Sequence, residues 1–348
     1  MLTILHDTFP NQLLHTPACE LHRHLSGPTL FHLPGRRLRP LFVSVLLHGN
    51  EDCGLVAVQQ VLRRYVGQPL PRALSILIGN VAAARQGLRR LDEQPDYNRV
   101  WPGNVEHGGT VEQAAMYEVY RQMAEREVFA SIDIHNNTGL NPHYGVVNRL
   151  DADVLHLARL FSRTVVWFKG LPGSQTNAFT SRCPSVTVEC GKPGVAANER
   201  HATDFLDACL HLDHFPGQPP SHADLDVYHT IATVRVAPTA SFAFGDPQAE
   251  IDFAPRLDHL NFCQIAAGTV FGRSRLPRPL DVRDEAGLDV SDDFFSCPDG
   301  TLRLRRSATP AMLSLDARVV RQDCLCYLMD RLPMPRTAQV APALCTDA

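Results

Sequence analysis

Long apolar runs, a dominant charge of one sign and cysteine pairs with metal-binding or redox spacing are all missing from this sequence. The longest strongly apolar run, residues 41–47, falls far short of the roughly 20 residues that span a bilayer, so no membrane partner is expected. Acidic and basic residues nearly balance, 37 against 33 for a net charge of −4. That balance argues against a general basic field for gripping nucleic acid, though a local patch stays open. Ten cysteines are scattered from Cys19 to Cys345, and the only close pair, Cys324-x-Cys326, has neither zinc-ribbon nor redox spacing. The first residues lack a basic stretch followed by an uninterrupted apolar one, so no secretory signal is expected. Reduced, mostly buried thiols and a soluble, cytoplasmic protein follow as expectations. Internal repeats, heptads and low-complexity tracts are absent too.

What remains is a chain of 348 residues, 44% hydrophobic, enough for a real core in one large domain or two. Up to about residue 215, apolar runs alternate with helical patterns. Residues 41–47 (LFVSVLL) read as a buried strand, and Leu55, Val58, Leu62 and Tyr65 then fall on one helical face. Residues 74–78 make a second strand. Thr110-Val-Glu-Gln113 is a capping-box start for a helix to about Glu127. Residues 128–134 and 186–188 are further strands. Interleaving of this kind predicts an α/β domain with a largely parallel sheet over residues 1–216. A Pro/Gly cluster at 215–221 marks a linker. Beyond it, residues 227–236, 241–244, 269–271, 301–305 and 317–320 look like short strands, predicting a smaller β-rich domain over 222–348.

Sixteen histidines offer nitrogen ligands, but a count establishes no metal site. Four motifs carry the chemistry. His48-Gly49-Asn50-Glu51 follows a buried strand, and His-x-x-Glu can put an imidazole and a carboxylate on one divalent ion; a polar pair lining a loop is the plainer alternative. Asp133-Ile134-His135 ends another strand, where His135 can be a third ligand and Asp133, on the same face, can hold its other ring nitrogen. A hydrogen-bonded core histidine would look the same. Val188-Glu189-Cys190-Gly191 ends an apolar strand with a carboxylate whose pKa burial would raise toward that of a general base or acid, unless Lys192 pairs with it. Asp96-Tyr97-Asn98-Arg99 offers an amide and a guanidinium to a carboxylate or developing oxyanion, or else an exposed loop arginine. Arg85, Arg89 and Arg90 lie just upstream.

Taken in order, His48-Gly-Asn-Glu51, Gly79-Asn80, Arg89-Arg90, Asp96-Tyr-Asn-Arg99, Asp133-Ile-His135-Asn-Asn-Thr138 and Val188-Glu189-Cys-Gly191 resemble the succinylglutamate desuccinylase/aspartoacylase family. That family is a branch of the zinc carboxypeptidase-like metallohydrolases, and the match spans roughly residues 40–200. The resemblance implies a three-layer domain with a mostly parallel or mixed central sheet, and a carboxy-terminal β domain partly covering the site. It implies that His48, Glu51 and His135 bind one Zn²⁺, with Asp133 behind His135. Glu189 becomes the general base, and Asn98, Arg99, Arg89 and Asn136 the substrate contacts, with Arg90 as the alternative to Arg89. Tyr97 stands where the family has leucine. The implied activity is hydrolysis of the amide of a small anionic N-acyl amino acid. A carboxypeptidase acting on small peptides is the alternative, and a non-catalytic metal-binding protein on the same fold is a third. The sequence is compatible with a homo-oligomer and names neither acyl group nor amino acid.

Overall fold

A computed structural model of the chain describes residues 2–104 and 108–333. Two short strands, β1 (Thr3–His6) and β2 (Thr29–Leu33), precede β3 (Gly35–Val45), which leads into α1 (Cys53–Arg64). Then come β4 (Leu70–Ile78), α2 (Val81–Gln86), α3 (Val111–Glu125), β5 (Ala130–His135), β6 (Tyr144–Val147) and α4 (Ala152–Phe161). This part closes with β7 (Thr164–Trp167), α5 (Gln175–Phe179), β8 (Ser185–Glu189) and α6 (Ala196–His211). The remainder holds β9 (Asp226–Val236), β10 (Phe242–Phe244), β11 (Ile251–Phe253), β12 (Val270–Ser274), β13 (Leu280–Asp284) and α7 (Ser291–Phe294). Last are β14 (Phe295–Ser296), β15 (Thr301–Leu304), β16 (Thr309–Ala311), α8 (Ala317–Gln322) and β17 (Cys326–Arg331).

Strand β3 shows why the first part layers as it does. Its side chains alternate between faces. Leu41, Val43 and Val45 enter the core shared with Val58 of α1, Leu155 of α4 and Leu206 of α6. Phe42 points the other way, against Trp101, Phe179 of α5, and Met116 and Met123 of α3. A strand covered on both faces reads as a continuous apolar run, which is how residues 41–47 looked. Each such side chain contributes about 1.5–3 kcal/mol on burial. Helices therefore sandwich the sheet, as the three-layer expectation required.

The large sheet has 12 strands in the order β1-β2-β4-β3-β5-β8-β6-β7-β9-β17-β16, with β13 paired to β9. Its centre, β4-β3-β5-β8, is parallel throughout. After the Pro/Gly cluster the chain returns to this sheet, since β9 pairs in parallel with β7, Asp226 opposite Thr164. A separate five-stranded sheet, β10-β11-β12-β15-β14, carries the β-rich character of the carboxy-terminal part. Its Phe253, Phe271 and Leu302 share a core with Val234 of β9, Val282 of β13 and Leu328 of β17.

One element differs in kind from expectation. Residues 317–320 begin helix α8, because Asp316 caps it by accepting from the backbone N–H groups of Arg318 and Val319. Two valines in a row mimicked a strand, but only Val320 of that helix is buried. Helix α3 starts at Thr110, whose hydroxyl accepts from Gln113 N, while Gln113 Oε1 accepts from Gly109 N, one residue before the cap. Cys53, Cys183, Cys190, Cys209, Cys324 and Cys326 are buried, and no disulfide forms among the described cysteines. Cys345, with the rest of 334–348, lies outside the described residues. No helix among the described residues is long and apolar enough to cross a membrane.

Candidate functional site

Strands β3, β5 and β8 lie side by side and parallel, so their carboxyl ends open at one edge of the sheet, where ligands gather in open α/β folds. His135 ends β5 opposite Glu189, which ends β8. The loop carrying His48 leaves β3 through Leu46, whose φ of 56° lies in the left-handed region. A non-glycine residue there costs about 1–3 kcal/mol, a strain that concentrates at functional sites. Gly49 then passes so close to α2 that an added Cβ would stand 2.2 Å from Ala84 N. Only glycine allows that approach, which explains the residue between His48 and Glu51.

His48, Glu51 and His135 converge in the buried floor of a cleft, their ligand atoms all within 4.8 Å of one another. Glu51 Oε1 lies 2.9 Å from His48 Nδ1, and Oε2 lies 2.8 Å from His135 Nδ1. The two Nδ1 atoms are 3.1 Å apart. Behind them, His48 Nε2 meets Asp96 Oδ1 at 3.0 Å and His135 Nε2 meets Asp133 Oδ2 at 2.6 Å. An ionised carboxylate only accepts, so each Nε2 carries a hydrogen. In neutral rings both Nδ1 lone pairs then face each other and the Glu51 oxygens. Such an arrangement needs a cation at its centre, whether protons on both rings or a metal ion.

The electrostatics agree. Burial and Arg89 oppose charge on His48, but Glu51 and Asp96 outweigh them and hold its pKa above the ordinary value. Burial likewise opposes charge on His135, yet Asp133 and Glu51 raise it well above. Burial alone would raise Glu51, and the two histidines bring it far below the usual carboxylate range.

Glu189 behaves oppositely. Burial, with the neighbouring charge of Glu51 adding, pushes its carboxyl up to about 7 against the opposing pull of His135. It accepts from Asn137 Nδ2 at 3.3 Å, and no ion pair with Lys192 forms among the described residues.

Arg89 is buried with Nη2 3.0 Å from Asp96 Oδ2 and 3.2 Å from Asp323 Oδ2. Arg99 lies 3.3 Å from Asp323 Oδ1 and donates to the carbonyl of Asn98. Arg90 turns away, donating to the carbonyls of Leu91, Asp92 and Gln94, and does not line the cleft. Asn98 donates to Asp133 Oδ2 and accepts from Gln175 N, while Ser44 Oγ donates to Asp133 Oδ1. Asn136 supports Glu51 through its backbone N–H, and its amide joins Cys53 N to the Gly191 carbonyl. The nine residues given roles by the resemblance, His48, Glu51, Arg89, Asn98, Arg99, Asp133, His135, Asn136 and Glu189, thus meet in or directly behind one cleft, and Arg90, the alternative to Arg89, does not.

Five side chains were not anticipated in these places. Asp96 sits in a motif already noted, but its bond to His48 depends on a loop closing over 48 residues. Tyr144, on β6, gave no local signal. Asp323, Tyr327 and Met312 enter the cleft from the carboxy-terminal part, where no motif marks them.

A sequence model of the Succinylglutamate desuccinylase/Aspartoacylase catalytic domain matches residues 38–212. No curated protein matches the chain by sequence. Among solved structures, the succinylglutamate desuccinylase from Chromobacterium violaceum aligns with a TM-score of 0.57 at 15% identity, covering 86% of this chain and 87% of that one. Murine aminoacylase 3 aligns at 0.56 and 14% identity over 85% and 96%. The product-bound ectoine utilization protein EutE (DoeB) from Ruegeria pomeroyi gives 0.56 and 16% over 87% and 88%. At these identities the likeness is one of fold. The sequence match is the stronger finding, because it takes in just over half the chain, including every converging donor and Glu189, and by it the chain belongs to the succinylglutamate desuccinylase/aspartoacylase family of deacylases.

Proposed function

We propose that the protein is a zinc-dependent hydrolase that cleaves the amide bond of a small N-acyl amino acid. One observation carries this: three electron-pair donors converge beside a buried carboxyl group whose pKa is pushed up to about 7. Two imidazole nitrogens and a carboxylate oxygen, with room for a further ligand, are a donor set suited to catalytic zinc. When bound there, zinc polarises a carbonyl oxygen and lowers the pKa of water to about 7.

The chain's own residues do the rest. Asp96 and Asp133 fix the tautomers of His48 and His135, so both Nδ1 atoms face the centre. Glu189, at the end of β8, accepts the proton of the attacking water and returns it to the leaving amine. Arg99 faces the cleft with N–H groups beyond those bonded to Asn98 and Asp323, and offers them to a carboxylate of the substrate. Small anionic N-acyl amino acids are the corresponding substrates.

The test is a panel of N-acetyl, N-succinyl and N-formyl amino acids alongside dipeptides, with zinc-loaded protein and amine release as readout. Turnover of N-acyl amino acids in preference to dipeptides is expected. Faster cleavage of dipeptides would make it a carboxypeptidase instead. For Arg99→Ala, kcat/KM should fall about 10–100-fold for substrates with a free carboxylate, the weight of a charge-assisted hydrogen bond, and much less for carboxylate-free amides. Equal losses on both would restrict Arg99 to the polarised carbonyl.

A further inference from the structure

We infer that Asp323 is a selectivity residue, which neutralises the arginine pair of the cleft and turns the site toward substrates with an uncharged, apolar side chain, away from dicarboxylic ones. The inference rests on the deacylase reading for its substrates, but on the observed ion pairs for its logic.

Among the described residues lining the cleft, Arg89 and Arg99 are the only ones with a permanent positive charge. Neither is free. Asp323 bridges the two guanidinium groups, one oxygen 3.2 Å from Arg89 and the other 3.3 Å from Arg99. Asp96 adds a second carboxylate at 3.0 Å from Arg89. Buried Arg89 and part-buried Arg99 thus already face buried Asp96 and part-buried Asp323 before substrate arrives, with Glu51 Oε1 a further 3.6 Å from Arg89 Nη1. Arg99 retains N–H groups for one carboxylate, such as the α-carboxylate of an amino acid. A second carboxylate on the substrate would enter a desolvated site with no uncommitted cation to receive it, and repulsion from Asp323 would add to that penalty.

The walls point the same way. Val146, Val166, Phe168, Leu171 and Met312 line the cleft with apolar surface, which suits an apolar side chain. Asp323 holds its place because it directly follows α8, with its backbone N–H bonded to Val319 O and its carbonyl accepting from Arg235 Nε. Discrimination is therefore built as an unfavourable element against the wrong substrate as well as a fit to the right one.

The experiment compares N-acetylleucine with N-acetylaspartate on zinc-loaded wild type and on Asp323→Asn, taking the ratio of kcat/KM values within each preparation. Free leucine and free aspartate are titrated calorimetrically into the same samples. Wild type should favour the leucine derivative by at least about tenfold, and Asp323→Asn should shift the ratio toward the aspartate derivative by a similar factor. Its affinity for aspartate should rise while that for leucine holds. A ratio unmoved by the substitution, both substrates falling together, would overturn the inference. So would a wild type that cleaves N-acetylaspartate as well as N-acetylleucine, an arm that holds even if Asp323→Asn does not fold. Asp323→Ser serves as a second variant. If neither substrate is hydrolysed, the deacylase reading fails, and the aspartate titration still decides the role of Asp323.

Discussion

Replacing Glu189 by glutamine is expected to lower kcat by more than about 100-fold while leaving bound metal at the wild-type level, the usual weight of a general base. The substitution keeps shape and the bond to Asn137, and removes only the capacity to take a proton. Because Glu189 is buried at a strand end, losing its charge relieves a desolvated group, so the variant should fold. Kinetics and metal analysis on one sample check both halves. Wild-type-like turnover would remove the role assigned to Glu189. A pH dependence accompanies it. A base works when ionised, so kcat/KM should rise with pH through the Glu189 titration. Burial pushes that carboxyl up from 4.5 to about 7, against the pull of the neighbouring cationic centre. The acidic limb should therefore lie above the ordinary carboxylate range in wild type and be lost in Glu189→Gln.

Removing a ligand should have the second large effect. His48→Ala and His135→Ala each leave two donors where three converged, and each strands a carboxylate, Asp96 or Asp133, without its ring partner. Metal content is expected to fall from about one equivalent to below about a tenth, and turnover with it. The neighbouring carboxylates give a graded control. Asp96→Asn and Asp133→Asn keep the rings but weaken their orientation, and should cost about 10–100-fold in metal affinity. Inductively coupled plasma measurement after dialysis checks all four. Full occupancy in both alanine variants would refute the ligand set.

Why so much of this site was legible follows from where its parts lie. Strands β3, β5 and β8 are buried at their central residues, so each reads as a largely apolar stretch interrupted by a few buried polar residues such as Ser44, Asp133 and Thr187, and each ends in or leads into a conspicuous polar motif. Adjacent parallel strands bring those ends together, and His48, His135 and Glu189 need no long-range guess beyond sheet order. Asp133 was readable because a residue two positions before a strand-end histidine shares its face.

The arginines were legible as present but not as paired. Arg99 looked like an open cradle, whereas its ion pair with Asp323 spans 224 positions and depends on how β17 docks on β9. No local pattern encodes that register. The same limit hid the return of β9 to the large sheet, which depends on pairing with β7 and not on any feature of residues 226–236. At residues 317–320 the error was local: two adjacent valines outweighed the capping carboxylate of Asp316, although an aspartate before a short run is itself a helix-start signal.

Titrating metal-free protein with zinc while following amine release from an N-acyl amino acid tests the central claim most directly. The rate should climb in proportion to zinc and level off at one equivalent per chain. Turnover that is already complete in metal-free protein, or that never appears at full zinc occupancy, would contradict a hydrolase built on His48, Glu51 and His135.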